Sequence, residues 1–159
     1  MIKYITFGIA ISFISWMVGM ILNSFLMKTE YYNRLSHLNF IPSKMLNKNL
    51  GMNYFKWIVK NTFFKFFNQS IHFKNPKAEL SEVRKEMTLS EISHLIGFIF
   101  VAFFALYKSI SVSPLFGFTI MIVNILMNLY PSLLQQENKR RIDLLMNRQM
   151  NTVKQNNGS

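Results

Sequence analysis

Three side chains near the middle of the chain have the types and spacing for acid–base work. Glu86, Glu91 and His94 fall in the run Glu86-Met-Thr-Leu-Ser-Glu91-Ile-Ser-His94. On a helix, Glu91 and His94 are three apart and share a face. A carboxylate beside an imidazole raises its basicity and orients its ring, as a general base needs. Ser90 stands four before His94, and Glu86 four before Ser90, which sketches a Ser/His/Glu set. Neighbours along one helix seldom reach the geometry of nucleophile and base, so Ser90 is set aside. The plain alternative is a polar pair that only hydrogen-bonds between helices.

A second cluster follows later: Asn128-Leu-Tyr-Pro131-Ser-Leu-Leu-Gln135-Gln-Glu137-Asn138-Lys139-Arg140-Arg141. Arg141 and Lys139 could hold a phosphate or carboxylate, with Arg giving a bidentate fork. Gln135 and Asn138, three apart, would add polar lining. The plain alternative is a positive flank at a membrane mouth. Cysteine is absent and only His37, His72 and His94 represent histidine. Neither a thiolate site nor a metal centre is expected, and no cofactor is implied.

The elements that must position these residues are written in the hydropathy. Half of the 159 residues are hydrophobic, 16% are charged, and mean hydropathy is +0.18. That excludes a disordered chain. The apolar residues form long blocks rather than core-spaced stripes. The first runs from Tyr4 to Met27 with no charge between Lys3 and Lys28. It is long enough to cross a hydrocarbon core, and longer than the apolar part of a cleavable signal peptide. Two more blocks, Ile92–Tyr107 and Leu115–Leu134, are joined by the short stretch 108–114. They predict an antiparallel hairpin, with Asn124 and Asn128 on one face.

Residues 28–49 are polar and predict loop with short helical pieces. Residues 50–74 interleave Tyr54, Phe55, Trp57 and several Phe with Lys56, Lys60, Lys65 and Lys74. That mix fits a segment in the membrane interface; a soluble core helix and a nucleic-acid surface are the rivals. Pro76 breaks the chain before a helix that begins near Lys77 or Ser81. The expected fold is therefore an all-α integral membrane protein. It has transmembrane helix 1 within 1–27, a cytoplasmic and interfacial segment over 28–91, a transmembrane hairpin over 92–134, and a basic tail over 135–159.

Charge orients it. Of 18 Lys and Arg, eleven lie in 28–91 and five after residue 134, against Lys3 and Lys108 elsewhere. Three spans put both rich segments on one side, which the positive-inside bias makes cytoplasmic. The N-terminus is then outside. The net charge of +11 is accounted for as membrane-surface bias, with no nucleic-acid partner needed.

These motifs resemble the small glycosyl-4,4'-diaponeurosporenoate acyltransferases of bacterial carotenoid synthesis. The family pattern has a Glu, then a Glu-x-x-His five residues on; here these are Glu86, Glu91 and His94. It also has Asn-x-x-Pro, a Gln and Asn-Arg-x-Arg; here these are Asn128, Pro131, Gln135, Asn138, Lys139 and Arg141. Leu50–Trp57 is similar to its Gly-then-aromatic-Lys-Trp region. The likeness spans about residues 50–145. This chain departs from the pattern with Leu89, Leu95, Gln136, Glu137 and Lys139. The resemblance implies transfer of a fatty acyl group to a sugar hydroxyl in the bacterial cytoplasmic membrane. His94 would take the hydroxyl proton, Glu91 would orient His94, and Glu86 would place the helix or a substrate hydroxyl. Asn128, Gln135, Asn138, Lys139 and Arg141 would hold substrate. The partners expected are membrane lipid, an acyl donor and a glycolipid acceptor. Small size and the polar face of the third span keep a second class open, an accessory subunit of a larger membrane complex. A surface adaptor that uses the basic segment is a third.

Overall fold

The computed structural model describes residues 1–37, 51–61 and 76–156. Within these, side chains at 60, 76–79, 149–150 and 152–156 are left undescribed. The loop expected at 38–49, most of the basic-aromatic segment beyond Asn61 and the last three residues lie outside the described residues. The described chain is helical: α1 Ile2–Leu26, α2 Tyr31–Leu35, α3 Met52–Asn61, α4 Pro76–Ser111, α5 Pro114–Asn124 and α6 Tyr130–Asn156. A π-helical turn, Ile125–Leu129, joins α5 to α6.

Three helical stretches are long and apolar enough to cross a membrane: Ile2–Leu26, Leu80–Ser111 and Pro114–Arg148. At about 1.5 Å per residue the shortest reaches roughly 37 Å, more than the ~30 Å of a hydrocarbon core. Two boundaries differ from the expected ones. Pro76 starts α4 rather than preceding it, because proline's missing N–H costs nothing in a first turn. The connection between the second and third spans shrinks to Val112 and Ser113. Ser113 caps α5 by accepting from Phe116 N–H at 3.2 Å, with Pro114 behind it.

The chain forms two compact units, Met1–Asn39 with Leu89–Leu133, and Phe40–Thr88 with Leu134–Ser159. In the first, Ile11, Val101, Ala105, Phe116 and Ile120 form the apolar core, bordered by Tyr4, Phe7, Phe100 and Phe104. Tyr4 stacks on Phe116 with ring centroids 4.1 Å apart. The rest of the packing is inverted relative to a water-soluble protein. The covered face of α1 is Gly8, Ile11, Ser12, Ser15, Gly19 and Asn23. Its outer face shows Ile9, Phe13, Met17, Met20 and Phe25. Lipid tails attract apolar side chains as well as a protein core does, so the helices associate through small residues and polar bonds instead.

Two glycines make the approach close. A Cβ on Gly19 would run into the Ser93 carbonyl, and one on Gly117 into Ser109 and the Ala105 carbonyl. In the second unit, Leu80, Val83 and Ile142 pack with Met87 and Met146. Arg84 forks onto Asp143 beside them, with Nε 2.5 Å from Oδ1 and a second guanidinium nitrogen 3.4 Å from Oδ2.

Replacing Gly117 tests the close approach, because the atoms in the way are backbone and Cβ. Gly117→Leu is expected to destabilise the protein in detergent by at least ~1–3 kcal/mol, read as a lower melting temperature. Leu115→Ala, on the outer face of the same helix, is expected to stay within about 0.5 kcal/mol. Equal effects would refute this packing.

Candidate functional site

In the first unit the polar side chains form a connected seam. It begins at Pro131. Proline has no N–H to give the carbonyl four residues earlier, which is that of Met127. Just before it the helix widens into the π turn, where Tyr130 N–H reaches back five residues to the Ile125 carbonyl. The Met127 carbonyl instead accepts from the indole Nε1 of Trp16 at 3.2 Å. A neighbouring helix thus supplies the donor that proline removed, as an apolar surround requires. The same indole ring meets the His94 ring edge-on, with centroids 5.8 Å apart.

Asn128, fully buried in the π turn, ties the seam together. Its amide nitrogen donates to Asn124 Oδ1 at 2.9 Å and to Ser15 Oγ at 3.1 Å. Ser15 has one proton, and its shortest bond, 2.7 Å, is to the Ser12 carbonyl. It therefore serves Asn128 as an acceptor. Asn124 in turn donates to the Phe98 carbonyl at 2.9 Å. The Asn128 side chain lies near the His94 ring. His94 Nδ1 is buried with no hydrogen-bond partner among the described residues. Gly97, one turn beyond His94, makes room: a Cβ there would stand 3.0 Å from Asn128 Oδ1 and 3.1 Å from Ser15 Oγ.

Toward the other end of α1, Asn23 donates to the Leu89 carbonyl at 2.9 Å and to Ser93 Oγ at 3.0 Å. Tyr32, carried by the short helix α2, lies near the Asn23 amide and feels the Glu91 charge. Burial pushes the Tyr32 hydroxyl above the usual tyrosine range, and the Glu91 charge pushes it further against an opposing contribution from Asn23. Glu91 itself is 1% exposed.

The expected site residues thus divide. Glu91, His94 and Asn128 belong to the first unit, and Asn128 and His94 come together there. Glu86, Gln135, Asn138, Lys139 and Arg141 belong to the second. Glu86 is exposed, Gln135 and Asn138 are half-buried, and Lys139 is buried. Arg141 is exposed and bonds Glu137 Oε1 at 3.0 Å. Glu137, almost fully buried, also holds Lys56 of α3 at 2.5 Å. Arg140 reaches Gln136 at 3.4 Å.

Sequence reasoning missed Ser15, Trp16, Asn23, Tyr32 and the Lys56–Glu137 pair. The spacing of Glu137 and Arg141, four apart, is one usable signal. The small-residue stripe of α1 was another sign, but without a partner attached. Among the described residues, no three His, Asp or Glu side chains gather as metal ligands would.

A double-mutant cycle tests the proline–indole link. Trp16→Phe removes the donor and is expected to cost about 1 kcal/mol in the native background. Pro131→Ala restores a backbone N–H in the helix, so the same Trp16→Phe change should then cost less than half as much. Equal costs in both backgrounds, measured by thermal unfolding in detergent, would refute the link.

A family model described as glycosyl-4,4'-diaponeurosporenoate acyltransferase matches residues 28–148 of the chain. No curated protein and no solved structure matches the chain.

Proposed function

We propose that this chain, which belongs to the glycosyl-4,4'-diaponeurosporenoate acyltransferase family, is an integral membrane O-acyltransferase. It moves a fatty acyl group from a donor onto a sugar hydroxyl of a glycosylated carotenoid or a related glycolipid. The observation that carries this reading is the His94 ring. It lies between Trp16 and Asn128, with a buried ring nitrogen that has no hydrogen-bond partner among the described residues.

In this reading His94 takes the proton of the acceptor hydroxyl. The hydroxyl oxygen bonds to the acyl carbon, and the bond from that carbon to the donor's leaving group then breaks. The proton on His94 passes to the leaving group, which restores the base. Glu91, buried three residues earlier on the same helix, supports the positive charge that the ring carries in between. Glu86 is exposed and is proposed to bind a hydroxyl of the acceptor. In the second unit, Gln135 and Asn138 are proposed as polar lining. Lys139 and Arg141 are proposed to attract the charged part of the donor. Membrane lipid is the surround, and the donor and acceptor are the partners.

The test is an assay in membranes with a glycosylated carotenoid acid and a fatty acyl donor. His94→Ala is expected to lower turnover by roughly 10²–10⁴-fold while the protein still inserts and accumulates. Unchanged turnover in His94→Ala would end the proposal.

The orientation is proposed from the Lys and Arg bias, with residues 28–91 and the tail cytoplasmic and the N-terminus outside. The absence of native cysteine makes this easy to check. In intact bacterial cells freed of any outer envelope, a cysteine placed at Val112 should react with an impermeant maleimide. One placed at Arg148 should react only after lysis. The reverse pattern would invert the topology.

A further inference from the structure

The geometry points to α3 as a helix seated in the headgroup layer of the membrane. Its aromatic face lies against lipid, and its Lys56 charge is turned into the protein. This inference needs no catalytic role for His94 and stands apart from the proposed reaction.

The two faces of α3 are inverted relative to a helix on a soluble surface. Asn53, Tyr54, Trp57, Ile58 and Asn61 are exposed, and their spacings of three and four put them on one side. Tyr54 is 79% exposed and Trp57 66%. On the other side Met52 is fully buried, and Phe55, Lys56 and Val59 are half-buried. Lys56 Nζ stands 2.5 Å from Oε2 of the buried Glu137 on α6. A helix facing water would turn Lys56 out and Trp57 in. Composition alone places Lys56 among lysines that reach for the membrane surface. The structure instead makes it the pin that fixes which side of α3 faces outward.

The outward face carries two amides, a phenol, an indole and one isoleucine, with no charge among them. Indole and phenol each join an apolar body to a polar edge, which suits the boundary between headgroups and acyl chains. Depth follows from what holds α3. Glu137 stands three residues past Leu134, where the third apolar block ends. That is roughly 4.5 Å along the helix axis. From Gln135 to Arg141 the same helix turns polar and basic. Lys56 thus grips α6 where it leaves the hydrocarbon, and α3 lies at headgroup level. Lipid surrounds a chain with three spans at that level, so lipid is the occupant of the aromatic face.

Trp16→Phe leaves Trp57 as the sole tryptophan, and its fluorescence reads the surround. The full chain is reconstituted in vesicles of phosphatidylcholine and phosphatidylglycerol. Lipids brominated high on the acyl chain are expected to quench Trp57 at least about twofold more than lipids brominated near its end, as for a group at the headgroup boundary. Iodide in the water should quench it little. Strong iodide quenching without bromine quenching would place the face in water and overturn the inference. Bromine quenching that grows toward the chain ends would overturn the depth. Protection from both quenchers would mean that protein covers the face, from a second copy or another chain, and would overturn it as well.

A second measurement does not depend on removing Trp16. The chain has no cysteine, so Ile58→Cys and Glu82→Cys each carry a single nitroxide label. Glu82 is exposed in the same unit and serves as the water control. The label at residue 58 is expected to collide more with oxygen than with a water-soluble nickel chelate, and the label at 82 the reverse. A label at 58 that favours nickel as strongly as the one at 82 would end the proposal, whatever the activity of His94→Ala.

Discussion

A side-chain amide in a hydrocarbon surround must place both hydrogens and its oxygen on protein partners, because no water is there to take them. Asn128 meets that constraint by drawing on α1 through Ser15 and on its own helix through Asn124, which in turn holds the Phe98 carbonyl of α4. The first unit is organised by this requirement more than by its apolar core. The apolar core of five buried residues fills the space between helices. The polar seam sets which faces of those helices meet. Sliding α1 by one residue would carry Ser15 away from Asn128 and Trp16 away from the Met127 carbonyl together.

Proline and glycine act in the same seam in opposite ways. Pro131 opens a gap in the helix's own bonding, and Trp16 fills it from outside. Gly19 and Gly97 remove side chains where α1 and the Asn128 amide press against α4. In a soluble core such glycines would lose apolar contact area. Between membrane helices they permit the close approach on which dispersion contacts and short interhelical bonds depend. The π turn falls at the same place, and it carries Asn128.

The second unit handles charge by pairing it. Glu137 takes Lys56 from α3 and Arg141 from its own helix, and Arg84 takes Asp143. A buried carboxylate is stable only with such compensation. Gln136 and Glu137 are two of the positions where this chain departs from the pattern it resembles. Both are buried, and both have basic partners, Arg140 for one and Lys56 with Arg141 for the other. The departures are thus absorbed by local pairs, and Arg141 is a structural partner before it meets any substrate.

The sequence by itself determined the class of the protein. Three apolar blocks set three candidate spans, because crossing a membrane requires only length and hydropathy, which are local properties. It also determined the family, since the order and spacing around Glu91, His94, Asn128 and Pro131 are visible without a fold. Tertiary structure decided what those residues touch. Ser15 and Asn128 are 113 residues apart, and no periodicity in either segment announces their bond. The Glu91 charge acts on Tyr32, a residue 59 positions earlier in the chain. Asn128 places both its amide hydrogens on protein partners, Ser15 and Asn124. Helical spacing fixes neighbours on one helix only. Which helix faces which, at what depth and rotation, follows from the joint satisfaction of every buried donor and acceptor, and that is a property of the assembled bundle.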